Sequence, residues 1–186
     1  MTVAMPSTPA SHFHLLRRQA YARPRRPLVV FTPKSMLRLK AAASPASAFT
    51  TGGFQTVLGD DPAQVDAASV DRVLLCSGKV AYDLLAERER RGDRRTAVVR
   101  LEQLYPLDAR GLGEVLSAFP SSAELVWVQE EPANQGAWPF VALGVAPQLG
   151  RSIRPVTRPA SAAPATGSSR KHAAEQEDLV TRAFAR

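Results

Sequence analysis

Two adjacent carboxylates, Glu130 and Glu131, follow the apolar run VWV in the stretch VWVQEEPANQGAW (Val126 to Trp138), and by residue type they could do acid–base work. Paired carboxylates serve that purpose when their surroundings push their proton affinities apart, so that one donates while the other accepts. Neighbours on an extended chain point to opposite faces, so these two are not expected to share a proton. Their predicted place is the carboxyl end of a parallel strand, the edge where α/β sheets put ligands and interfaces. Pro132, Asn134, Gln135 and Gly136 then make a turn whose amides can satisfy exposed backbone. The pair reads first as a structural or interface feature, second as a ligand contact, and last as a catalytic dyad.

Other chemistry is sparse. CSGKV looks like the end of a phosphate-binding loop, but no Gly stands five residues before Gly78, and Val80 occupies the place of the magnesium-binding Ser or Thr. No GxGxxG follows a strand. His12, His14 and His172 lack ligand spacing, and His14 reads as a packed histidine. No Ser-His-Asp set can be argued from the spacing. Cys76, the only cysteine, lies in an apolar run and reads as a small buried hydrophobe.

The elements that must position these residues can be read from periodicity. Thr8-Pro9 predicts a helix start, with Phe13, Leu16 and Ala20 on its buried face and Arg17 and Arg18 at its end. LVVF (Leu28 to Phe31) predicts a fully buried strand. Residues 44–70, rich in Gly, Pro and small side chains, read as a connection between two bodies. Strands are then predicted at Val73 to Cys76, Val98 to Leu101, Leu125 to Val128 and Ile153 to Val156. Helices are predicted over Lys79 to Arg91, Arg110 to Phe119 and Trp138 to Leu149, with a last one capped by Ser169. Val80, Leu84 and Leu85, then Leu112, Val115, Leu116 and Phe119, then Leu179, Val180, Ala183 and Phe184 are the inward positions. Strands alternating with helices imply an α/β class with a mostly parallel, doubly wound sheet.

Charge is unevenly placed. The first 59 residues hold eight Lys or Arg and no acid, whereas the remaining 127 hold sixteen bases and seventeen acids, so the net +7 comes from the amino-terminal third. A one-signed cluster calls for an anionic partner or an acidic surface. Nucleic acid is not expected, because no basic run is interleaved with stacking aromatics and no binding motif occurs. Apolar runs are too short to span a bilayer, no secretory leader is recognised, and one cysteine suits a reducing compartment. A cytoplasmic protein without membrane contact is expected.

Five collinear blocks, STPASHFHLLRRQ, PLVVFTPKSMLR, VLLCSGKVAYDL, RLEQLYPL and WVQEEPANQGAW, cover nearly the whole chain. Together they resemble the carboxyl-terminal part of the thiamine-dependent first component of 2-oxoglutarate dehydrogenase, in wording nearest to the actinobacterial multifunctional form. The resemblance implies that residues 1–45 end a pyrimidine-binding domain, 46–70 form a linker, and 71–186 form a transketolase C-terminal-like domain. It implies oxidative decarboxylation of 2-oxoglutarate in the citric acid cycle, with thiamine diphosphate and Mg2+ as cofactors. It also implies a homodimer and succinyl transfer to a lipoyl-bearing succinyltransferase domain. The diphosphate motif, the activating glutamate and the substrate histidines of that family have no match here, so the chain alone is expected to be inactive. The resemblance further implies part of an allosteric acetyl-CoA site at Thr2, Arg18, Thr56, Gln103 and Arg110. Gly53 and Gly111 stand where the family pattern carries cations. The competing expectation is a free-standing, non-catalytic interaction or CoA-sensing module.

Overall fold

A computed structural model describes residues 1–186. Its centre is a five-stranded sheet built from β3 (Val57–Leu58), β4 (Arg72–Cys76), β5 (Thr96–Leu101), β7 (Glu124–Pro132) and β8 (Ile153–Arg158), in the order β3-β5-β4-β7-β8. The β4–β5, β4–β7 and β7–β8 pairs are parallel, and only β3 runs antiparallel to its neighbour β5. All five residues of β4 are buried. This is what a central parallel strand covered on both faces requires, and why RVLLC reads as an unbroken apolar run after its arginine.

Two apolar layers flank the sheet. On one face Val73, Leu75, Val99, Leu101, Leu125 and Trp127 meet α4 (Ala109–Leu116) through Leu112 and Leu116, and the helical path α5 (Trp138–Phe140), a π turn (Val141–Val145) and α6 (Ala146–Leu149) through Val141 and Val145. On the other face Leu74, Cys76, Val98, Val126 and Val128 meet α3 (Val80–Arg91) and α7 (Ser169–Phe184) through Val80, Leu84, Leu179 and Phe184. The alternation along each strand divides the two sets. Ser168, rather than Ser169, caps α7, accepting from the Lys171 amide at 3.4 Å. No helix is long and apolar enough to cross a membrane.

The amino-terminal third departs from its predicted form in three ways. A second small sheet, β2 (Leu28–Val30), β1 (Thr2–Ala4) and β6 (Gln103–Tyr105), joins it to the main body. Neither β1 nor β6 was predicted. β1 pairs parallel with β2 and antiparallel with β6. The run LVVF is not fully buried: β2 is the sheet edge, and Val29 and Phe31 are 41% and 52% exposed. Finally, α1 (Pro9–Tyr21) starts at Thr8 as predicted, but Phe13 and Leu16 are exposed while Ala10, Ser11, His14 and Leu15 are buried. The polar pair can face inward because each finds a partner. Ser11 Oγ donates to Glu102 at 2.6 Å, and His14 Nε2 lies 2.8 Å from the Ala48 carbonyl.

The residues between the two sheets are more than a passive connection. They contain α2 (Ser47–Thr50) and β3, and they supply Val57, Val65 and Val70 to the core. Asp60 is buried in an ion pair with Arg88 of α3, and its Oδ2 also accepts the Val98 amide at 2.6 Å.

Candidate functional site

The carboxyl edge of the parallel sheet is where the two acids of the opening question sit. The strand does not stop before them: β7 runs on through Glu130 and Glu131 to Pro132, with a register shift after Val128. The polar residues ended the apolar run in the sequence without ending the strand. Glu130 forms an ion pair with Lys79, which lies at the amino-terminal end of α3. Glu131 is exposed and lines the opposite side. The two acids therefore diverge, as extended geometry demands.

That opposite side holds a recess of about 520 Å3, lined by Val3, Met5, Tyr105, Trp127, Phe140 and Glu131 among others. Its wall is organised by one amide. Gln129, buried, accepts from the Trp127 indole at 2.9 Å and from the Trp138 amide at 2.8 Å. Its Nε2 faces the Pro132 and Gln135 carbonyls at 3.2 and 2.8 Å. Gly136, at φ +65°, closes this turn, where a Cβ would press on the Gln129 amide. Asn134 and Gln135 then hold Ser161 of the loop before α7. The stretch QEEPANQGAW is thus a self-bracing corner. Changing both Glu130 and Glu131 to Gln is expected to cost no more than about 1 kcal/mol, because the Lys79–Glu130 pair is partly exposed. Chemical denaturation measures it.

A second cluster gathers around β6. Arg18, from α1, donates to Gln103 Oε1 at 2.5 Å and stacks over the Phe54 ring at 4.4 Å. Partial burial holds its guanidinium below the ordinary arginine value. The Gln103 amide turns its Nε2 to the Pro106 carbonyl at 2.8 Å. The Thr56 carbonyl accepts the backbone amides of Glu102 and Gln103 at 2.9 and 3.1 Å, and Thr56 Oγ1 donates to Asp108 Oδ2 at 2.5 Å. Asp108 caps α4, accepting from the Gly111 amide at 2.8 Å, and these bonds, that from Thr56 foremost, hold its carboxyl below the usual range.

So Arg18, Thr56 and Gln103 stand together. Thr2 sits one residue before Val3, which pairs with Tyr105, and its amide is taken by Pro27 at 2.8 Å. Arg110 lies on the same corner, but its guanidinium faces solvent and donates to Glu114 at 2.8 Å. Gly111 leaves room for the Asp108 cap, which any side chain there would strike, whereas Gly53 faces open space. Sequence reasoning missed Phe54 and Asp108, which are brought in by loop geometry. It also missed Glu102, which is fully buried beside Gln103. Cys76 is buried, and burial pushes its thiol up to about 12.

Residues 43–184 match a family model described as 2-oxoglutarate dehydrogenase C-terminal. A multifunctional 2-oxoglutarate metabolism enzyme of Mycolicibacterium vanbaalenii is 47% identical over 99% of this chain and 15% of its own length. The protein of the same name from Mycobacterium sp. strain KMS is 47% identical over 100% of this chain and 15% of its own. A 2-oxoglutarate dehydrogenase E1 component of Cupriavidus necator is 47% identical over 100% of this chain and 20% of its own. The chain therefore spans between 15% and 20% of the length of these curated relatives.

Proposed function

We propose a function on one premise: the chain belongs to the 2-oxoglutarate dehydrogenase family, matching its carboxyl-terminal part. Within that family its role is structural and regulatory. The whole assembly oxidatively decarboxylates 2-oxoglutarate and passes the succinyl group to a lipoyl-bearing partner. Thiamine diphosphate, when bound, supplies the electron sink for decarboxylation. The residues of this chain do not fit a magnesium ion to accompany that cofactor: no three His, Cys, Asp or Glu side chains come together in a way that could hold a metal ion. Residues 1–45 act as the end of a pyrimidine-binding domain, 46–70 as a linker, and 71–186 as a transketolase C-terminal-like domain of a homodimeric enzyme. The open, partly apolar edge of β2 supports the first of these assignments, since it offers a parallel strand to a larger sheet.

The regulatory part is an acetyl-CoA site on the β6 corner. The observation that carries it is the convergence of Arg18, Thr56 and Gln103, with Arg18 fixed over Phe54 and held by a single neutral acceptor rather than by a carboxylate. A guanidinium so placed keeps N–H groups free for phosphate oxygens. Thr2 and Arg110 flank it, and Arg110 would exchange its exposed Glu114 contact for the ligand.

Calorimetric titration of acetyl-CoA into the chain tests this. Arg18→Met is expected to weaken binding at least about tenfold, the scale of one charge-assisted contact of 1.5–3 kcal/mol. Gly53→Lys, which meets nothing in the structure, is expected to strengthen it several-fold. Equal affinity in all three proteins would refute the site. The rival reading, a free-standing CoA-sensing module, predicts the same binding and differs in expecting no association with the rest of a dehydrogenase subunit.

A further inference from the structure

Strand order decides where the carboxyl ends of the main sheet part from one another. After β4 the chain turns through α3 to β5 on one side, and after β7 it turns through α5 and α6 to β8 on the other. α3 covers one face of the sheet and the α5–α6 path covers the opposite face. Because β4 and β7 are paired neighbours, their continuations diverge and leave a crevice. Open α/β sheets bind ligands at such a switch point. The recess of about 520 Å3 lies there: Ser77 follows β4, and Trp127, Gln129 and Glu131 belong to β7. It is a consequence of the topology, not of a face left bare. Nine of its twelve lining residues fall within 71–186, and only Val3, Met5 and Phe31 come from the first third.

Two glycines shape its walls. Gly78, at φ +72°, has no Cβ, and the Met5 side chain packs where one would stand. Gly136 does the same for the Gln129 amide and the Glu131 Cβ. The electrostatics of the lining are of one sign. The Tyr105 and Phe140 rings meet edge to face at 6.4 Å, and Trp127 is buried in the same wall. The Ser77 hydroxyl donates to the Leu101 carbonyl at 2.8 Å, so only acceptor capacity is left on it. Both ends of the Gln129 amide are committed. No Lys, Arg or His lines the recess. Its single charge, Glu131, is exposed and enters no ion pair.

We infer that this recess is a binding site for a small organic ammonium, a cationic amine carried on an apolar or aromatic body. Ring faces and an unneutralised carboxylate both attract a cation, and with no cationic side chain in the lining a phosphate or carboxylate would meet only repulsion. The volume falls within the range of about 300–1,000 Å3 usual for small-molecule pockets, and largely apolar walls with a few polar groups are their usual build. The β6 corner offers the opposite charge through Arg18, so this site stands apart from the acetyl-CoA reading and does not depend on it. A Lys or Arg side chain from the rest of a larger subunit carries the same chemistry, and the test separates the two sources.

Calorimetric titration of the full chain with 2-phenylethylammonium, 2-phenylethanol and 3-phenylpropanoate at neutral pH varies charge at nearly constant shape. The ammonium is expected to bind with a Kd of about 1 mM or tighter. The alcohol binds about tenfold more weakly, and the carboxylate not measurably. Glu131→Gln is expected to weaken the ammonium about three- to fivefold, the scale of an exposed ion pair, and to leave the alcohol unchanged. A merely distorted recess would not give that split. Tyr105→Ser weakens ammonium and alcohol alike, whereas Glu177→Gln on α7 weakens neither. All three substitutions are at exposed positions, and an unchanged thermal melt shows that each variant is folded. No binding of the ammonium, equal affinity for all three probes, or indifference to Glu131→Gln would overturn the proposal. So would ammonium binding that disappears when the chain is joined to the rest of a dehydrogenase subunit, since a side chain of that subunit would then fill the recess.

Discussion

Asp60→Ala is expected to destabilise the chain by about 3–5 kcal/mol, the range for breaking a buried ion pair from one side. Asp60 and Arg88 have side chains only 3% and 6% exposed, and the carboxylate also receives the Val98 amide. Removing it leaves the Arg88 guanidinium in the interior with the Thr96 carbonyl at 3.3 Å as its other protein acceptor. At roughly 2–4 °C of Tm per kcal/mol for a chain of this size, the loss is easily read in a thermal melt. Replacing both partners, Asp60→Ala with Arg88→Met, should recover a good part of it, because the stranded charge is gone. If the double variant proved worse than either single one by their full sum, the pair would not be coupled and this account of the core would be wrong. The location gives the result its interest: Asp60 belongs to a segment whose composition reads as a tether, yet it anchors both a helix and a central strand.

The second large effect concerns Glu102. This carboxylate has no exposed surface, and it holds the start of α1: its Oε2 accepts the Ser7 amide at 2.8 Å and the Ser11 hydroxyl at 2.6 Å, while Oε1 has no partner. Around it, Arg100 Nη1 donates to Ser7 Oγ at 3.0 Å and the Tyr82 hydroxyl donates to the Ser7 carbonyl at 2.5 Å. Glu102→Ala orphans two buried donors at about 1–3 kcal/mol each and should free α1 first, visible as fast hydrogen exchange confined to residues 9–21. Glu102→Gln keeps an acceptor and should retain the helix.

Acidity separates the wild type from that conservative variant. Burial, against the opposing pull of Ser11, Ser7 and Arg100, raises the Glu102 carboxyl above its ordinary value. A raised carboxyl binds its proton more tightly in the folded state. Its contribution is therefore full below the unfolded value and is lost as pH climbs through the folded one. Relative to Glu102→Gln, the wild type should become less stable as pH rises above the usual carboxylate range, then level off. A difference that grows in the other direction would mean that the hydrogen bonds outweigh burial.

Much of the fold was legible because its signals are local. VLLC and LVWV are continuous apolar runs, VVRL is one broken only by Arg100, and α3, α4 and α7 carry their inward residues at helical spacing. What escaped was decided at long range. β1 and β6 are three residues each, too short to show a period, and they exist through pairing across about a hundred residues. The buried face of α1 was misassigned because Ser11 looks like a surface residue until Glu102 is beside it, whereas His14, read as packed, is indeed buried against the Ala48 carbonyl. Glu102 itself stands between Leu101 and Gln103 like any strand-end acid, and nothing in its neighbours announces its burial. Of the β6 corner, Arg18, Thr56 and Gln103 were named from family likeness alone. Phe54 and Asp108 emerge only when a loop and a helix cap meet in space.

Cys76 gives this protein a built-in clock. The thiol lies at the centre of the parallel sheet, with its sulfur 3.8 Å from the Val99 carbonyl and its acidity suppressed to about 12. A reagent that needs thiolate in contact with water cannot react with it while the sheet is closed. Labelling must therefore wait for the strands to part, and with reagent slow relative to reclosure its rate reports the fraction of time they are apart. Because the chain has one cysteine, that reading needs no tag or mutation, even in a crude mixture resolved by mass. Each variant considered above could be ranked by a stopwatch at ordinary temperature, without being driven to unfold.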